Sequence, residues 1–132
     1  MTSWTGDELA RIGTADELEL AALRRDGILR KSVTIWVVRQ GDELYVRSAY
    51  GPKAAWFRGA QVRHEGRVRA GGIEKDVAFV PASHELEHQI DAAYSTKYRR
   101  YGERFIGTMT GPEARATTLK LVPRAPGTAE AR

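Results

Sequence analysis

The feature that most constrains the fold is a run of β-branched and aromatic residues from Lys31 to Val38, KSVTIWVV. Such residues favour the extended backbone of a sheet. A turn sequence, Gln40-Gly41-Asp42, follows the run, and a second strand-like segment extends from Glu43 to Ser48. The pattern predicts a β-hairpin. We therefore expect a domain built around a sheet.

Further segments show strand patterns on both sides of this hairpin. Leu18 and Leu20 alternate with acidic residues, which predicts a strand over residues 17–25. Residues 60–64 and 67–71 are predicted to form another hairpin around Glu65-Gly66, and residues 76–80 continue the meander. A last strand is predicted over residues 117–122.

Three helices are predicted from their end signals. The first begins at a capping box, Thr5 to Glu8, and ends at Gly13. A short helix over residues 53–58 follows the strand breaker Gly51-Pro52. A long late helix is capped by Ser83, stops at Gly102 and carries one apolar stripe.

This order of elements predicts an α+β fold. Short antiparallel strands, a short helix after the second hairpin strand and one long late helix are most economically arranged as a small barrel with helices over its openings. Residues 1–122 are predicted to form a single domain. The segment 123–132, PRAPGTAEAR, has few large apolar groups and predicts a disordered tail.

Composition narrows the classes of function. The chain has no cysteine, so disulfides and thiolate metal sites are excluded. It has no apolar run long enough to span a bilayer and no signal-like amino terminus, so we expect a cytoplasmic protein without membrane contact. The net charge of +4 reflects 21 basic and 17 acidic residues. Many of the basic ones lie between residues 24 and 69, which suits an anionic partner.

The segment HELEH matches the H-E-x-x-H motif of zinc proteases through His84 and His88. In a helix, however, both imidazoles would lie opposite the apolar stripe and face solvent. A third ligand with suitable spacing is also lacking, and the site would not be the partly dry cleft that zinc catalysis needs. The motif therefore favours a polar first turn, and we predict no metal.

The segment from Ser48 to Ala60, SAYGPKAAWFRGA, is a better candidate for a site. A strand ends in a hydroxyl there, and Gly51-Pro52 leaves backbone N–H groups free at a helix amino terminus, with Lys53 and Arg58 following. Such a corner favours a phosphate or a carboxylate. The alternative is a plain strand-to-helix corner whose aromatic residues belong to the core.

The stretch RKSVTIWVVRQGDELYVRSAYGPKAAWFRGAQVRHEGRVRAGG resembles the central part of the flavin-binding split β-barrel proteins. In particular, it is similar to their deazaflavin-dependent nitroreductase branch, in which a Gly-Pro corner containing Ser precedes a short helix bearing Trp. It also resembles a group of uncharacterised bacterial proteins known only as a domain of unknown function. The most specific part of the match is Ser48 to Arg58.

The resemblance implies a six-stranded antiparallel split β-barrel, commonly a homodimer, that binds FMN or a deazaflavin coenzyme, and the activity it suggests is the reduction of a small organic molecule. It implies no particular catalytic residue. By position, the cofactor would be held by basic, hydroxyl, glycine and aromatic residues of the strand, the corner and the short helix: Arg30, Lys31, Ser32, Ser48, Gly51, Lys53, Trp56 and Arg58.

The late helix suggests a substrate pocket, because its apolar stripe includes tyrosines that could stack on an aromatic ring. The predicted pocket residues are Tyr94, Lys97, Tyr98 and Tyr101. Tyrosines at this spacing are also common in a core.

Two other functions are compatible with the sequence. One is a non-catalytic sensor or carrier of a small ligand. The other is a single-stranded nucleic-acid barrel in which Arg63, Arg67 and Arg69 track phosphates and Trp36 or Tyr45 stacks on bases. The modest charge and the acidic residues between the basic ones disfavour nucleic acid.

Overall fold

A computed structural model describes residues 3–124. Its centre is one antiparallel sheet of seven strands in the order β2-β1-β5-β6-β7-β4-β3. The strands are β1 (Leu18–Ala22), β2 (Val33–Ile35), β3 (Val38–Gln40), β4 (Glu43–Val46), β5 (Glu65–Ala70), β6 (Ile73–Pro81) and β7 (Leu119–Pro123).

The two ends of this sheet come from neighbouring residues. Strands β2 and β3 lie at opposite ends of the order, yet only Trp36 and Val37 separate them in the chain. The sheet must therefore curl round until its two edges meet. We call Trp36-Val37 the strand break. The predicted α+β split-barrel class is confirmed, but the predicted strand 31–38 is two short strands, so seven strands are present rather than six.

Within residues 3–124, five α-helices and three 3₁₀ turns surround the sheet. The helices are α1 (Gly6–Thr14), α2 (Ala55–Arg63), α3 (Glu87–Lys97), α4 (Glu103–Thr110) and α5 (Pro112–Arg115). The 3₁₀ turns are Gly51–Lys53, His84–Leu86 and Arg99–Tyr101. The predicted capping box of α1 is confirmed, because Thr5 Oγ1 accepts from the Glu8 amide at 3.1 Å and Glu8 Oε1 accepts from the Thr5 amide at 2.9 Å.

The predicted strand over residues 60–64 is wrong, because α2 continues to Arg63 and ends where His64 adopts a left-handed backbone with φ of 60°. The hairpin that joins β5 to β6 turns at Gly71 and Gly72, not at Glu65-Gly66. Gly66 serves a close approach instead, since a Cβ there would lie 2.2 Å from the carbonyl oxygen of Ala21 on β1.

The late helical region is also more divided than the sequence predicts. The single long helix is a 3₁₀ turn, α3 and a second 3₁₀ turn, which ends as predicted at Gly102, where φ is 94°. Helices α4 and α5 follow and were not predicted. They delay the last strand to Leu119, because the hydroxyls of Thr117 and Thr118 donate to carbonyls of the α5 turn.

Two apolar clusters hold these elements together. The first fills the barrel and includes Leu20, Leu44, Phe79 and Leu121. The second lies between the strands β3 and β4 and the late helices, and consists of Val38, Tyr45, Ile90, Tyr94, Tyr98 and Met109. The second cluster fixes α3 and α4 against one side of the barrel, which is where the candidate site lies.

The last described residues belong to the sheet. Pro123 belongs to β7 and pairs with Val77, and residues 125–132, which make up most of the predicted tail, lie outside the described part. Within residues 3–124, no helix has the length and apolar character to cross a bilayer.

Candidate functional site

A groove with a volume of about 530 Å³ lies where β2, the end of β4, α2 and α4 meet. This volume is in the range of small-molecule sites. Five aromatic side chains and one arginine are among the residues that line it: Trp36, Tyr50, Trp56, Tyr101, Phe105 and Arg47. We call it the aromatic groove.

Trp36 forms one wall and is held rigidly. Its ring stacks on Tyr98 with 3.9 Å between centroids and 1° between planes, and Tyr101 lies against it at 5.4 Å. The Tyr101 hydroxyl in turn lies 3.3 Å from a carboxylate oxygen of Asp16, which also pairs with Arg100. These contacts order the wall, and both Trp36 and Tyr101 line the groove.

The opposite wall and the rim carry aromatic surface that is poorly covered. Trp56 on α2 packs edge to face against Phe57, with 5.9 Å between centroids. Tyr50 is 84% exposed and Phe105 on α4 is 55% exposed. Large apolar side chains that converge around one groove without cover are typical of a binding surface.

Arg47 lies at the base of the groove and is almost wholly buried, with 1% of its surface exposed. Its Nε donates to Thr118 Oγ1 at 2.8 Å, and its Nη1 donates to Asp91 Oδ1 at 2.5 Å and to the Met109 carbonyl oxygen at 2.8 Å. Its Nη2 has no hydrogen-bond partner within the described chain. Arg47 is also the one charged residue among those that line the groove.

Asp91 on α3 balances this buried charge. It accepts from Arg47 and, through its other oxygen, from Arg115 Nε at 3.0 Å. Burial acts to raise the pKa of Asp91, but the hydrogen bonds from both arginines outweigh it and hold that pKa below its usual range. Asp91 therefore stays ionised and ties α3 to β4 and to α5.

The strand break beside the groove is closed by residues of the late helical region. The Tyr98 hydroxyl accepts from the Val37 amide at 3.1 Å and lies 2.7 Å from the Asp16 carbonyl oxygen. Lys97 Nζ donates to the Val37 carbonyl oxygen at 2.6 Å. Burial lowers the pKa of Lys97 to about 8, although Asp16 opposes the shift.

Comparison with protein families gives the chain its place. The model of the family described as "Uncharacterized protein conserved in bacteria (DUF2255)" matches residues 8–121, most of the chain. The chain belongs to this family. No curated protein matches the DUF2255 chain significantly.

Solved structures share the fold of the DUF2255 chain at low sequence identity. HutZ, the heme storage protein from Vibrio cholerae, has 14% identity and a TM-score of 0.58, with 94% of this chain and 92% of that chain covered. An F420 reductase has 17% identity and a TM-score of 0.53, with 89% of this chain and 93% of that chain covered. A FAD-binding protein from Mesorhizobium loti has 16% identity and a TM-score of 0.51, with 94% of this chain and 93% of that chain covered. The DUF2255 chain spans 50% of a further similar structure, from Agrobacterium tumefaciens.

The structure brings together only some of the residues predicted to hold a cofactor in this DUF2255 protein. Trp56 lines the aromatic groove. Ser48 and Gly51 are buried beside it, and the Ser48 hydroxyl lacks a partner within residues 3–124. The remaining predicted residues are exposed and do not line the groove: Arg30, Lys31, Ser32, Lys53 and Arg58.

The predicted substrate pocket is divided between the groove and the core. Tyr101 lines the groove, whereas Tyr94 and Tyr98 are buried in the second core cluster. Burial raises the pKa of both buried phenols well above the usual value, so they remain protonated. Lys97 lies behind the wall, bonded to the strand break.

The HELEH segment has no metal-site geometry in the DUF2255 chain. His84 and His88 are exposed, and the helix α3 begins only at Glu87, so the two do not share a regular helical face. The His84 Nδ1 atom lies 2.9 Å from a carboxylate oxygen of Glu87. Within residues 3–124, no group of three histidine or acidic side chains is placed to hold a metal ion.

The basic residues considered for nucleic acid have acidic neighbours. Arg67 pairs with Asp76 at 2.9 Å, and Arg69 pairs with Glu19 at 2.7 Å. Tyr45 is buried, and Trp36 is stacked on Tyr98. The ion pairs engage Arg67 and Arg69, and burial removes Tyr45 from the surface, which disfavours the nucleic-acid hypothesis.

Arg47 is not among the predicted site residues, and the prediction assigns no cofactor role to Trp36, Tyr50 or Phe105. Arg47 stands in a stretch with many other basic residues, and nothing in its spacing distinguishes a buried arginine from an exposed one. One weak signal exists, because Arg47 directly follows Leu44-Tyr45-Val46, a run without polar alternation that marks a strand covered on both faces.

Proposed function

We propose that the aromatic groove binds a flavin-type cofactor, FMN or a deazaflavin coenzyme, and that the protein is an oxidoreductase that reduces a small organic substrate. The observation that carries this proposal is the convergence of aromatic side chains from separate segments on one groove with a single buried cation at its base. A flat, partly anionic ring system fits that combination.

Stacking is the main contribution that the groove offers. Aromatic rings prefer offset-stacked or edge-to-face contact with another ring. Trp36 is already fixed by Tyr98 on one face, so a ligand ring on the other face would meet a wall that loses little freedom on binding. Trp56 and Phe105 would approach the same ring from α2 and α4.

The names of similar structures support the cofactor class. They include an F420 reductase, a FAD-binding protein and a heme storage protein. All three ligands have a large planar ring system. At such low sequence identity, these structures show only that the fold is shared. The choice of cofactor therefore depends on the groove itself.

The residues of this chain would bind and orient the cofactor rather than perform the chemistry. A flavin or deazaflavin supplies hydride transfer when it is bound. The aromatic walls would exclude water from one side of the ring, and Arg47 would place positive charge near it. The described lining offers only the phenols of Tyr50 and Tyr101 as proton donors, and neither is placed against a reacting atom, so the catalytic residue is left unassigned.

The exposed rim supports a homodimer as part of this proposal. Tyr50 and Phe105 place aromatic surface at the mouth of the groove, where a second copy would cover it. Sedimentation equilibrium with and without cofactor tests this directly. A monomer both without cofactor and with cofactor at about 100 times its Kd would contradict the homodimer.

The test of the main proposal is a titration with FMN, the deazaflavin coenzyme and hemin, followed by absorbance and tryptophan fluorescence. We expect saturable binding of a flavin-type cofactor, weakened by Trp56→Ala. Lys53→Ala tests the exposed corner in parallel, and it weakens binding only if the corner holds the phosphate.

The outcomes separate the functions. Binding followed by reduction of a nitroaromatic acceptor in the presence of a reductant supports an oxidoreductase. Tight binding without turnover favours a ligand sensor or carrier, and binding of hemin alone would contradict the flavin proposal.

A further inference from the structure

We propose that Arg47 Nη2 is a ligand-binding donor that contacts an anionic oxygen, of a phosphate or a carboxylate, on a molecule in the aromatic groove. The inference deepens the proposed function and rests on it, because it requires that the groove hold a ligand. It assigns the recognition of charge to a buried residue that is distinct from the exposed basic corner.

The guanidinium of Arg47 is fixed before any ligand arrives. Its Nε and Nη1 are held by Thr118, by Asp91 and by the Met109 carbonyl oxygen. These partners lie just before β7, on α3 and on α4, so the plane of the guanidinium cannot rotate freely. Its Nη2 is the one nitrogen left over, and it has no acceptor within residues 3–124.

An unpartnered donor of this kind is unusual in a folded protein. Buried polar nitrogens almost always have a hydrogen-bond partner, and a charged one loses more than a neutral one when it has none. Arg47 is 1% exposed and is among the residues that line the groove, so the proposal brings the acceptor that completes its set from the groove.

The charges around Arg47 leave room for an anion. Asp91 is shared between Arg47 and Arg115, so its single negative charge does not neutralise both. Glu87 also interacts with the two arginines, but its carboxylate is engaged by His84. Tyr94 presents the face of its neutral ring to the guanidinium at 5.5 Å.

The proposed contact has a defined chemical preference. A fixed guanidinium in a place of low dielectric forms a short, charge-assisted hydrogen bond with an oxyanion. A neutral hydroxyl or amide on the ligand would be a weaker acceptor than the oxyanion. The ligand should therefore be bound more tightly than its uncharged analogue.

The experiment compares matched ligand pairs on the same protein. FMN and riboflavin share the ring and differ in the phosphate, and benzoate and benzamide, added to flavin-loaded protein, test a small substrate carboxylate. Dissociation constants are measured for wild type, Arg47→Met and Arg47→Lys. Arg115→Met is the matched control, because it removes the other partner of Asp91 without touching the groove lining.

We expect wild type to prefer the anionic member of at least one pair by about tenfold, the usual size of one charge-assisted hydrogen bond. Arg47→Met should abolish that preference and leave the neutral member within about threefold, whereas Arg115→Met should keep it. If Arg47→Met does not fold, Arg47→Lys should lose the preference, because its single ammonium is shared by Asp91 and Met109.

The alternatives are distinguishable. If Arg47→Met leaves the preference intact, or weakens both members of a pair equally, Arg47 is only structural and this inference fails while the proposed function stands. If wild type binds no member of the flavin pair and no deazaflavin, the proposed function fails and this inference fails with it.

Discussion

The rings of Trp36 and Tyr98 are parallel, with 3.9 Å between their centroids, and the hydroxyl of the same tyrosine accepts a hydrogen bond from Val37, the next residue after Trp36. One side chain of the late helical region therefore supports the groove wall and closes the strand break. Binding and the integrity of the barrel depend on a shared set of contacts.

Tyr98→Phe should lower the free energy of unfolding by about 1–3 kcal/mol, because the buried Val37 amide and the partly buried Asp16 carbonyl lose their partner. Urea denaturation measures the change. Tyr50→Phe, at a position 84% exposed, is the control and should change stability by less than about 0.5 kcal/mol. Equal effects of the two substitutions would contradict the role given to Tyr98.

Asp91→Asn should destabilise the protein by about 3–5 kcal/mol, because it leaves the buried Arg47 without its counter-charge. Asp7→Asn breaks an exposed pair with Arg11 and should cost at most about 1 kcal/mol.

The stability difference between wild type and Asp91→Asn should also depend on pH in the acid range. The folded-state pKa of Asp91 lies below its unfolded value, so its contribution is present above the unfolded value and is lost as pH falls through the folded one. The stability difference between wild type and Asp91→Asn should shrink as pH falls from 5 towards 2. A difference that stays constant over that range would rule out an ionised Asp91 as its source.

Lys97→Met should differ from wild type in a way that depends on alkaline pH. The folded-state pKa of Lys97, about 8, is below the ordinary value of 10.5, so the unfolded chain binds more protons between the two. The penalty for the buried charge is fully present below about pH 8 and is relieved as pH rises.

Wild type should therefore gain on the order of 1–2 kcal/mol relative to Lys97→Met between pH 7.5 and 10, a discounted share of the full shift. Guanidinium denaturation at several pH values measures it. Lys53→Met, at an exposed position, is the control for the loss of one lysine charge. A pH-independent difference between wild type and Lys97→Met would mean that the Lys97 amine is better solvated than the structure indicates.

Gly66→Ala should cost about 3 kcal/mol or more, because its Cβ would lie 2.2 Å from the Ala21 carbonyl oxygen and 2.9 Å from Phe79 Cζ. Gly107→Ala in α4 meets nothing within 4 Å and should stabilise the protein by about 0.5–1 kcal/mol. Thermal unfolding of both variants tests the packing of β5 on β1. A mild effect at Gly66 would show that these strands can move apart.

Trp36→Leu should weaken FMN or deazaflavin binding by about three- to tenfold through lost stacking. Trp36→Phe should keep more of the affinity but remove part of the tryptophan quenching that the ligand causes. Trp4 is buried in the barrel and donates to Leu121, so Trp4→Phe should leave the quenching almost unchanged. Quenching that depends on Trp4 instead would place the ligand elsewhere.

Local signals in the sequence predicted several elements of the fold well. The capping box of α1 depends on neighbours within a few residues and is present. The predicted hairpin is present only in part, because Val38–Gln40 pairs with β4 whereas Val33–Ile35 pairs with β1. The extension of α2 to Arg63 was missed because Val62 and Arg63 suit a strand as well as a helix, and burial of Ala60 against the barrel decided it. Helix α4 contains glycine and threonine and packs on α3, and the four-residue α5 packs on α4 and on the Gly51–Lys53 turn, so neither carries a strong local signal.

The site was less predictable than the fold. Charged residues near a Gly-Pro corner suggested where an anion binds, but sequence does not show that Lys31 and Lys53 are exposed while Arg47 is buried. The environment of Arg47 comes from Asp91, Met109 and Thr118, between 44 and 71 residues away along the chain. Such long-range partners leave no local pattern.

The closure of the sheet at Trp36-Val37 has a consequence for the behaviour of the protein in solution. Its two edge strands, β2 and β3, contain three residues each and continue into one another. They offer a very short template for the addition of a strand from another molecule, which is the usual route from a sheet to a fibril. Protection from aggregation is thus built into the connectivity, and it should be lost first if the break at Trp36-Val37 is opened.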